Sequence, residues 1–252
     1  MTTRAVTVPP GDVPALLAAL NSSTAGTTVA LPTGTWKLGA LDRLTLKDGV
    51  TLSGAGAELT TLVWPTQTGA MCASFKRVNF GGPGLVSGPD DGSRIGWAVT
   101  DLQIVVDGGL QQNDTVSGGK HAYCPVVTNQ PKHYGKPTGK MRIERLRVTA
   151  VSTGYQGVDM WSGGVGMGSA IQFGGSDNVV RNCTVTMMGN CGSNVTPLIH
   201  FRGNRTVVSG NVFHFGCTLY SITSVTSLLW ENNTAVHYKA LGRDGAVIGT
   251  FG

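Results

Sequence analysis

The stretch AIQFGGSDNVVRNCTV, residues 170–185, returns in outline as LIHFRGNRTVVSGNVF at residues 198–213. In both stretches a short run alternates apolar and polar residues, and a corner of small or polar residues follows. A Val-Val run then leads through a Cys or Asn step into another β-branched or aromatic run. A strand pattern repeated along a chain is the signature of a repeat architecture. The two stretches therefore predict stacked copies of one strand unit.

The same frame extends along the chain. One apolar position recurs and is followed three residues later by Cys or Asn: Val180 with Cys183, Val208 with Asn211, and Leu229 with Asn232. Segments 99–104 and 143–148 fit the same frame, so the spacing between equivalent positions falls from 44 to 37, 28 and 21 residues. A fixed strand unit with loops of varying length between units predicts a repeat protein.

The unit predicted is one coil of a parallel β-helix. A first strand turns at a small corner into a second strand, which bends at the Cys or Asn position into a third. Alternation along the first strand puts one set of side chains inside the tube and the other outside. The inside set is Ile171, Phe173, Ile199 and Phe201, and the outside set is Gln172, His200 and Arg202. Asn211 and Asn232 are expected to stack in a hydrogen-bonded ladder at the bend.

Composition agrees with a chain of many short strands and tight corners. It contains 37 Gly among 252 residues, only 13% of which are charged, and no shift in composition marks a linker. We therefore expect a single domain over residues 1–252. Residues 12–20 predict a short apolar helix, with Asp12 as its N-cap, that plugs one end of the tube. No cap of the other end is recognisable, which predicts an oligomer or the continuation of a longer chain.

The distribution of charge and the search for targeting signals limit the classes of binding partner that we expect. The net charge is +5, and residues 121–252 carry 11 Lys and Arg against 5 Asp and Glu. An acidic polysaccharide or a nucleic acid would be drawn there, although a solvated basic face explains the same count. No nucleic-acid-binding module is recognisable, and no apolar run is typical of a membrane span or a signal peptide. We expect neither nucleic acid nor membrane as a partner, and expect the five cysteines to be buried thiols.

Three N-terminal segments carry a resemblance to a known family. They are TVALPTGTW at 28–36, LTLKDGVTLSGAG at 44–56 and TTLV at 60–63. They resemble the first coils of the pectin-lyase-like superfamily, which includes pectate lyases, polygalacturonases, uronan epimerases and phage tailspike depolymerases. The resemblance implies an all-β, single-stranded right-handed parallel β-helix with a polysaccharide groove along the first sheet. It further implies an extracellular or virion-surface location and allows a homotrimer.

The long insertions predict the walls of that groove. They cover residues 107–120, 130–140 and 152–168, and long loops on a rigid scaffold often carry function. Sugar rings pack on aromatic faces, and acidic sugars attract lysines, although each aromatic could equally anchor its own loop. The expected substrate-binding residues are Gln172, Trp161, Tyr155, Tyr134, Lys132 and Lys136.

Two chemistries are open for the groove. In β-elimination, Arg202 would neutralise a uronate carboxylate and His200 would remove the neighbouring proton. The alternative is that His200 bonds across coils and Arg202 is solvated. Hydrolysis needs two carboxylates about 5–9.5 Å apart, which Asp159 and Asp107 would supply if their loops meet. Asp107 before Gly108 is equally explained as a turn residue.

Family signatures that would fix the reaction are missing. Where the resemblance implies a calcium-binding Asp, this sequence has Gln172, so no metal or other cofactor is expected and Ca²⁺ is left without a recognisable site. The paired Asp and Gly-His-Gly elements of polygalacturonases are absent as well. A non-catalytic polysaccharide-binding or structural β-helix, of tail-fibre or adhesin type, is therefore the alternative to an enzyme.

Overall fold

The computed structural model describes residues 4–68, 84–89, 93–111, 126–129, 137–153, 170–172, 174–189, 197–202, 204–215, 218–223, 227–237 and 248–251. Within these ranges the strands pair in parallel and form three long sheets. The chain passes repeatedly from the first sheet to the second and then to the third, and one such passage is called a coil. This is the all-β parallel β-helix predicted from the repeat, and crossovers between parallel strands are almost always right-handed.

The strand bounds show how the coils stack. In stacking order, the first sheet contains Leu44–Thr45, Val86–Ser87, Val127–Thr128, Ile171–Gln172, Pro197–Arg202, Thr218–Thr223 and Ile248–Phe251. The second contains Arg4–Thr7, Thr27–Ala30, Thr51–Ser53, Ala98–Thr100, Arg142–Glu144, Val179–Arg181, Thr206–Ser209 and Leu228–Glu231. The third contains Gly34–Lys37, Thr60–Trp64, Gln103–Gln111, Arg147–Thr153, Thr184–Gly189, Val212–Phe215 and Thr234–His237, with Gln67–Thr68 paired beside it. Arg94–Ile95 and Thr138–Gly139 pair at the corner between the first and second sheets.

The helix predicted at residues 12–20 spans Val13–Ser22. Asp12 is its N-cap, as predicted, because Asp12 Oδ1 accepts a hydrogen bond from Ala15 N at 2.9 Å. Leu16 and Leu20 are buried in the same core as the strands. Their apolar face covers the end of the tube beside Thr27–Ala30 and Leu44–Thr45. Within the described residues, no helix is long and apolar enough to span a membrane.

The core is a stack of one inward position per strand. In the second sheet the stacked residues are Val29, Leu52, Val99, Ile143, Val180, Val208 and Trp230, and all but Trp230 are fully buried. Trp36, Trp64 and Trp97 are fully buried in the N-terminal part of the core. Burying each such Val or Leu contributes about 1.5–3 kcal/mol, so neighbouring coils share one continuous apolar interior. Ile171 is fully buried, as the repeat predicted.

The register of the last coil differs from the prediction by one residue. Trp230, rather than Leu229, pairs with Val208, and its ring stacks on Phe213 with centroids 5.4 Å apart. Leu229 is 49% exposed. The reason is the corner length, because three residues separate Arg202 from Thr206 but four separate Thr223 from Leu228.

The same shift corrects the asparagine ladder. Asn233 stacks on Asn211, and its Oδ1 accepts hydrogen bonds from Asn211 N at 3.0 Å and Asn211 Nδ2 at 2.9 Å. Asn211 Oδ1 in turn accepts from Cys183 N at 2.9 Å. Asn232, predicted to stand in the ladder, is the corner residue before it and has a φ of 53°. Cys183 is a buried free thiol, as predicted, and burial raises its pKa to about 12.

Candidate functional site on the first sheet

A column of polar residues runs along the first sheet at one register position. It alternates with the buried residues Val86, Val127 and Ile171, so it belongs to the opposite face of the sheet. Strand pairing aligns its members one above another: Thr45, Ser87, Thr128, Gln172, His200 and Ser221. We call this set the polar column. It places the predicted residues Gln172 and His200 in adjacent coils, about 4.8 Å apart along the tube.

The N-terminal half of the polar column is more enclosed than predicted. Gln172 is 1% exposed, and Thr128 and Ser87 are fully buried. Thr128 Oγ1 donates a hydrogen bond of 3.3 Å to Gln172 Oε1, which links two coils. The open position expected for Gln172 is therefore wrong in this structure, and its role in sugar binding stays a prediction. The sequence could not show this, because alternation reports which face a residue takes but not what covers that face.

His200 and Arg202 lie on one strand of the first sheet. His200 pairs with Gln172 on one side and Ser221 on the other, while Arg202 pairs with Thr223. The strand Pro197–Arg202 extends continuously through both positions, so they take the same face. The backbone therefore places both residues on one strand, and their roles as base and neutralising residue stay a prediction.

The other predicted site residues lie outside the described ranges. They are Asp159, Trp161, Tyr155, Tyr134, Lys132 and Lys136. Asp107 is described and exposed. It does not form the predicted turn, since it lies within the strand Gln103–Gln111 where the register shifts between Val106 and Leu110. Its pairing with Asp159 stays a prediction.

Two asparagines missed by sequence reasoning position the strand that carries Gln172. Asn129 and Asn178 are both fully buried, and Asn129 Nδ2 donates to Asn178 Oδ1 at 2.9 Å. Asn129 N donates to the carbonyl of Gln172, and Asn129 Oδ1 accepts from Gly174 N. Asn129 therefore bonds both Gln172 and Gly174 of the next coil and holds the end of the strand Ile171–Gln172. In the sequence, Gly174 and Gly175, which precede Asn178, are interpreted as part of an ordinary corner. Only the position of Asn178 directly before the strand Val179–Arg181 indicates that its side-chain amide faces the core.

Arg43 is a further cation beside this sheet that the sequence did not single out. It directly precedes the strand Leu44–Thr45, and its Nη2 donates to Gln67 Oε1 at 2.9 Å. Its Nη1 donates to the carbonyls of Ala40 and Asp42. Burial lowers the pKa of the Arg43 guanidinium to about 10, against the opposing charge of Asp42. Arg43 therefore keeps its positive charge at neutral pH while being held rigidly at the N-terminal end of the polar column.

The residues present do not fit the calcium site that the resemblance implies. Gln172 offers a neutral amide where a carboxylate is needed, and its Oε1 already accepts a hydrogen bond from Thr128. Across the described part of the chain, no group of three or more His, Cys, Asp or Glu lies close enough together to hold a metal ion. No reaction step is assigned to a metal at this position.

Comparison with known proteins gives similarity in structure alone. No protein-family model matches the chain, and no curated protein sequence does. The chain is similar to the A-module of the Azotobacter vinelandii mannuronan C-5 epimerase AlgE6, at 18% identity, a TM-score of 0.42, and coverage of 94% of this chain and 70% of that one. It is also similar to the A-module of the epimerase AlgE4 from the same organism, at 16% identity and a TM-score of 0.44, over 89% of this chain. A third similar structure is the PL6 family alginate lyase AlyGC, at 9% identity and a TM-score of 0.40, over 99% of this chain. The chain spans 62% of the AlgE4 module and 39% of AlyGC.

Proposed function

We propose that the protein is a carbohydrate-active β-helix that cleaves an acidic, uronic-acid-containing polysaccharide along the first sheet. One observation carries the proposal: register places His200 beside the polar column residue Gln172, with Arg202 two residues further on the same strand face. A flat strand face that repeats coil after coil suits an extended polymer better than a small molecule. Ser221, which pairs with His200 in the next coil, would then lie beside a neighbouring sugar unit.

The chemistry proposed is β-elimination. Arg202 binds the uronate carboxylate, and its charge stabilises the negative charge that develops when the neighbouring C5–H bond breaks. His200 accepts that proton, the electron pair forms a C4–C5 double bond, and the C4–O glycosidic bond breaks. The leaving oxygen takes up a proton, so atoms and charge balance without an oxidant. Hydrolysis by a pair of carboxylates including Asp159 is the other route to cleavage under this proposal.

The experiment incubates the protein with a panel of uronic-acid polymers, including polygalacturonate and alginate. Ultraviolet absorbance of an unsaturated product marks elimination, and new reducing ends without absorbance mark hydrolysis. If the polymer takes up deuterium from D₂O without being cleaved, the protein removes the C5 proton but does not break the glycosidic bond. That result would restrict the proposal to proton abstraction. His200→Ala and Arg202→Ala should each reduce turnover at least a hundredfold. Lys37→Ala, at an exposed position of the third sheet, is the matched control. Undiminished turnover in the His200→Ala/Arg202→Ala variant would reject this site.

A non-catalytic role has its own supporting observation. The burial of Thr128 and Gln172, with the hydrogen bond between them, is what a structural ladder between coils requires. A tail-fibre or adhesin module that binds polysaccharide would use the same scaffold without turnover. Retardation of the protein in a gel containing the polymer, with no product of either kind, supports that role and contradicts cleavage.

Location and assembly follow from the proposed substrate. Acidic polysaccharides of this kind lie outside cells, so we propose an extracellular or virion-surface protein. Among the described residues, the last strands of the three sheets are Leu228–Glu231, Thr234–His237 and Ile248–Phe251, and backbone edges of this kind pair readily with another strand. Sedimentation of the purified chain tests the homotrimer, for which a monomer at every concentration would be the contrary result.

A further inference from the structure

Three arginines converge on one carboxylate on the outer face of the second sheet. Glu144 Oε1 accepts from Arg181 Nη2 at 2.8 Å and from Arg142 Nη2 at 3.1 Å, and its Oε2 accepts from Arg145 Nη1 at 3.3 Å. Arg145 also donates two hydrogen bonds to Asp101, one coil nearer the N-terminus, at 2.5 and 2.8 Å. We call Arg142, Glu144, Arg145 and Arg181 the arginine cluster. It lies on a different sheet from the polar column.

The arginine cluster presents positive charge to solvent. The side chain of Glu144 is 3% exposed, whereas those of Arg142, Arg145 and Arg181 are 56%, 49% and 50% exposed. Glu144 is shared by all three guanidiniums, and Arg145 has Asp101 as a second partner. Within the described residues, Arg142 Nη1 and Arg181 Nε make no hydrogen bond, so donors remain on the exposed side.

Glu144 fixes these arginines before any partner arrives. Burial opposes its ionisation, but the hydrogen bonds and charges of Arg142 and Arg181 outweigh burial and hold the pKa of Glu144 below its ordinary value. The carboxylate is therefore charged at neutral pH and keeps the guanidiniums in place. An ordered guanidinium fork binds carboxylates with two parallel hydrogen bonds and at a lower entropic cost than a mobile one.

We propose that the arginine cluster is a second contact surface for the polymer, which binds the carboxylates of an acidic polysaccharide strand that passes outside the first-sheet groove. The identity of the polymer rests on the proposed function. The face spans three coils, from Thr100 to Arg181, which suits an extended chain. The other outward residues of these coils, Ala98, Thr100 and Val179, include no aromatic ring on which bases of a single-stranded nucleic acid could stack.

The test measures binding of size-defined polygalacturonate and alginate by calorimetry, in the His200→Ala/Arg202→Ala background so that turnover does not interfere. Arg142→Gln/Arg181→Gln should lower the affinity about tenfold or more, and Arg142→Lys/Arg181→Lys, which keeps the charge but not the fork, should lower it less. Arg4→Gln/Lys37→Gln removes the same charge from exposed positions at the N-terminal end and should change affinity less than about twofold. Thermal unfolding of each variant confirms that the tube is intact.

Equal losses in the cluster variant and the Arg4→Gln/Lys37→Gln control would overturn the proposal, because net charge alone would then explain binding. Binding of single-stranded DNA that is as tight, and as sensitive to the cluster variant, would overturn the polysaccharide in favour of nucleic acid. The readout is binding, so absence of turnover would reject the proposed cleavage without affecting this result. Conversely, if Arg142→Gln/Arg181→Gln leaves the affinity for the polymer unchanged, the proposed second contact surface is rejected. The proposed cleavage at the first sheet is then unaffected.

Discussion

Asn129 Nδ2 donates a hydrogen bond of 2.9 Å to Asn178 Oδ1 in the neighbouring coil, and both residues are fully buried. Asn178 Oδ1 also accepts from Met141 N, and its Nδ2 donates to the carbonyls of Gly174 and Gly175. These amides therefore have partners for their buried polar atoms. A buried network of this kind specifies one register between coils, because any slip leaves several polar groups unpaired.

We expect that removing either side-chain amide lowers the free energy of unfolding. Removing both should lower it by less than the sum of the two single effects. We expect Asn129→Ala and Asn178→Ala each to lower the free energy of unfolding by about 2–4 kcal/mol, since buried partners lose their hydrogen bonds. The double variant should reveal a coupling of about 1 kcal/mol or more. Urea unfolding of the four proteins measures it. Strictly additive losses would show that the two amides act separately.

The corrected register of the last coil makes a prediction about adjacent asparagines. Asn233→Ala removes the acceptor of two Asn211 hydrogen bonds and should destabilise the protein by about 1–2 kcal/mol. Asn232→Gly removes only a corner amide, and Gly adopts the φ of 53° more readily, so it should change stability by less than about 0.5 kcal/mol. Thermal unfolding compares them. A larger loss for Asn232→Gly would restore the register predicted from the sequence.

Gly175 and Gly96 have nearly the same positive φ but different surroundings. Substituting each by Ala therefore distinguishes the energetic cost of steric contact from that of backbone strain. A Cβ on Gly175, at φ +73°, would lie 2.0 Å from the carbonyl oxygen of Thr138 in the coil below. A Cβ on Gly96, at φ +71°, would meet nothing within 4 Å. Gly96→Ala should cost about 1–2 kcal/mol from the left-handed backbone alone. Gly175→Ala should cost about 3 kcal/mol or more, because the coils must move apart. Equal losses would mean that the coils there are not in contact.

Glu144 should make stability depend on acid pH. Its pKa in the folded protein is lower than the ordinary value of 4.5, so its contribution is present above about pH 4.5 and disappears as pH falls through the folded pKa. Glu144→Gln should therefore be less stable than wild type by about 1–2 kcal/mol at neutral pH, a figure reduced because the arginines are half-exposed. The difference should shrink in acid. Urea unfolding from pH 7 to pH 3 measures it.

Glu58→Gln is the control for that pH series. Glu58 also pairs with an arginine, Arg147, but its side chain is 68% exposed, so solvent weakens the pair. We expect Glu58→Gln to change the free energy of unfolding by less than about 0.5 kcal/mol at neutral pH. A difference between wild type and Glu144→Gln that grows on acidification would contradict the sign derived for Glu144.

The tube itself was predictable from sequence because its signals are local and repeated. Alternation predicted the buried Ile171, and Asp12 before an apolar run predicted the capped helix that begins at Val13. The Val-Val runs at 179–180 and 207–208 predicted second-sheet strands that the structure pairs residue for residue. Each of these depends on side-chain periodicity or on a cap, which neighbouring residues determine alone.

The features that the sequence did not predict depend on contacts between segments that are distant in the chain. One additional corner residue moved Trp230 into the place expected for Leu229, and nothing in the strand pattern counts corner residues. The burial of Gln172 depends on what covers the sheet. The arginine cluster joins Arg142 and Arg181, which lie far apart in the chain and meet because successive coils pair Glu144 with Arg181. Sequence spacing would reveal it only once the register of those coils was known.

The four-residue corner before Leu228 implies that this scaffold tolerates changes in length. The segment between Thr223 and Leu228 is one residue longer than the equivalent segment of the preceding coil. The strands before and after it still pair with that coil, so the extra residue changes only the local register. Evolution can therefore lengthen or shorten such corners one residue at a time, exchanging the side chains displayed to the outside while the neighbouring turns of the tube continue undisturbed.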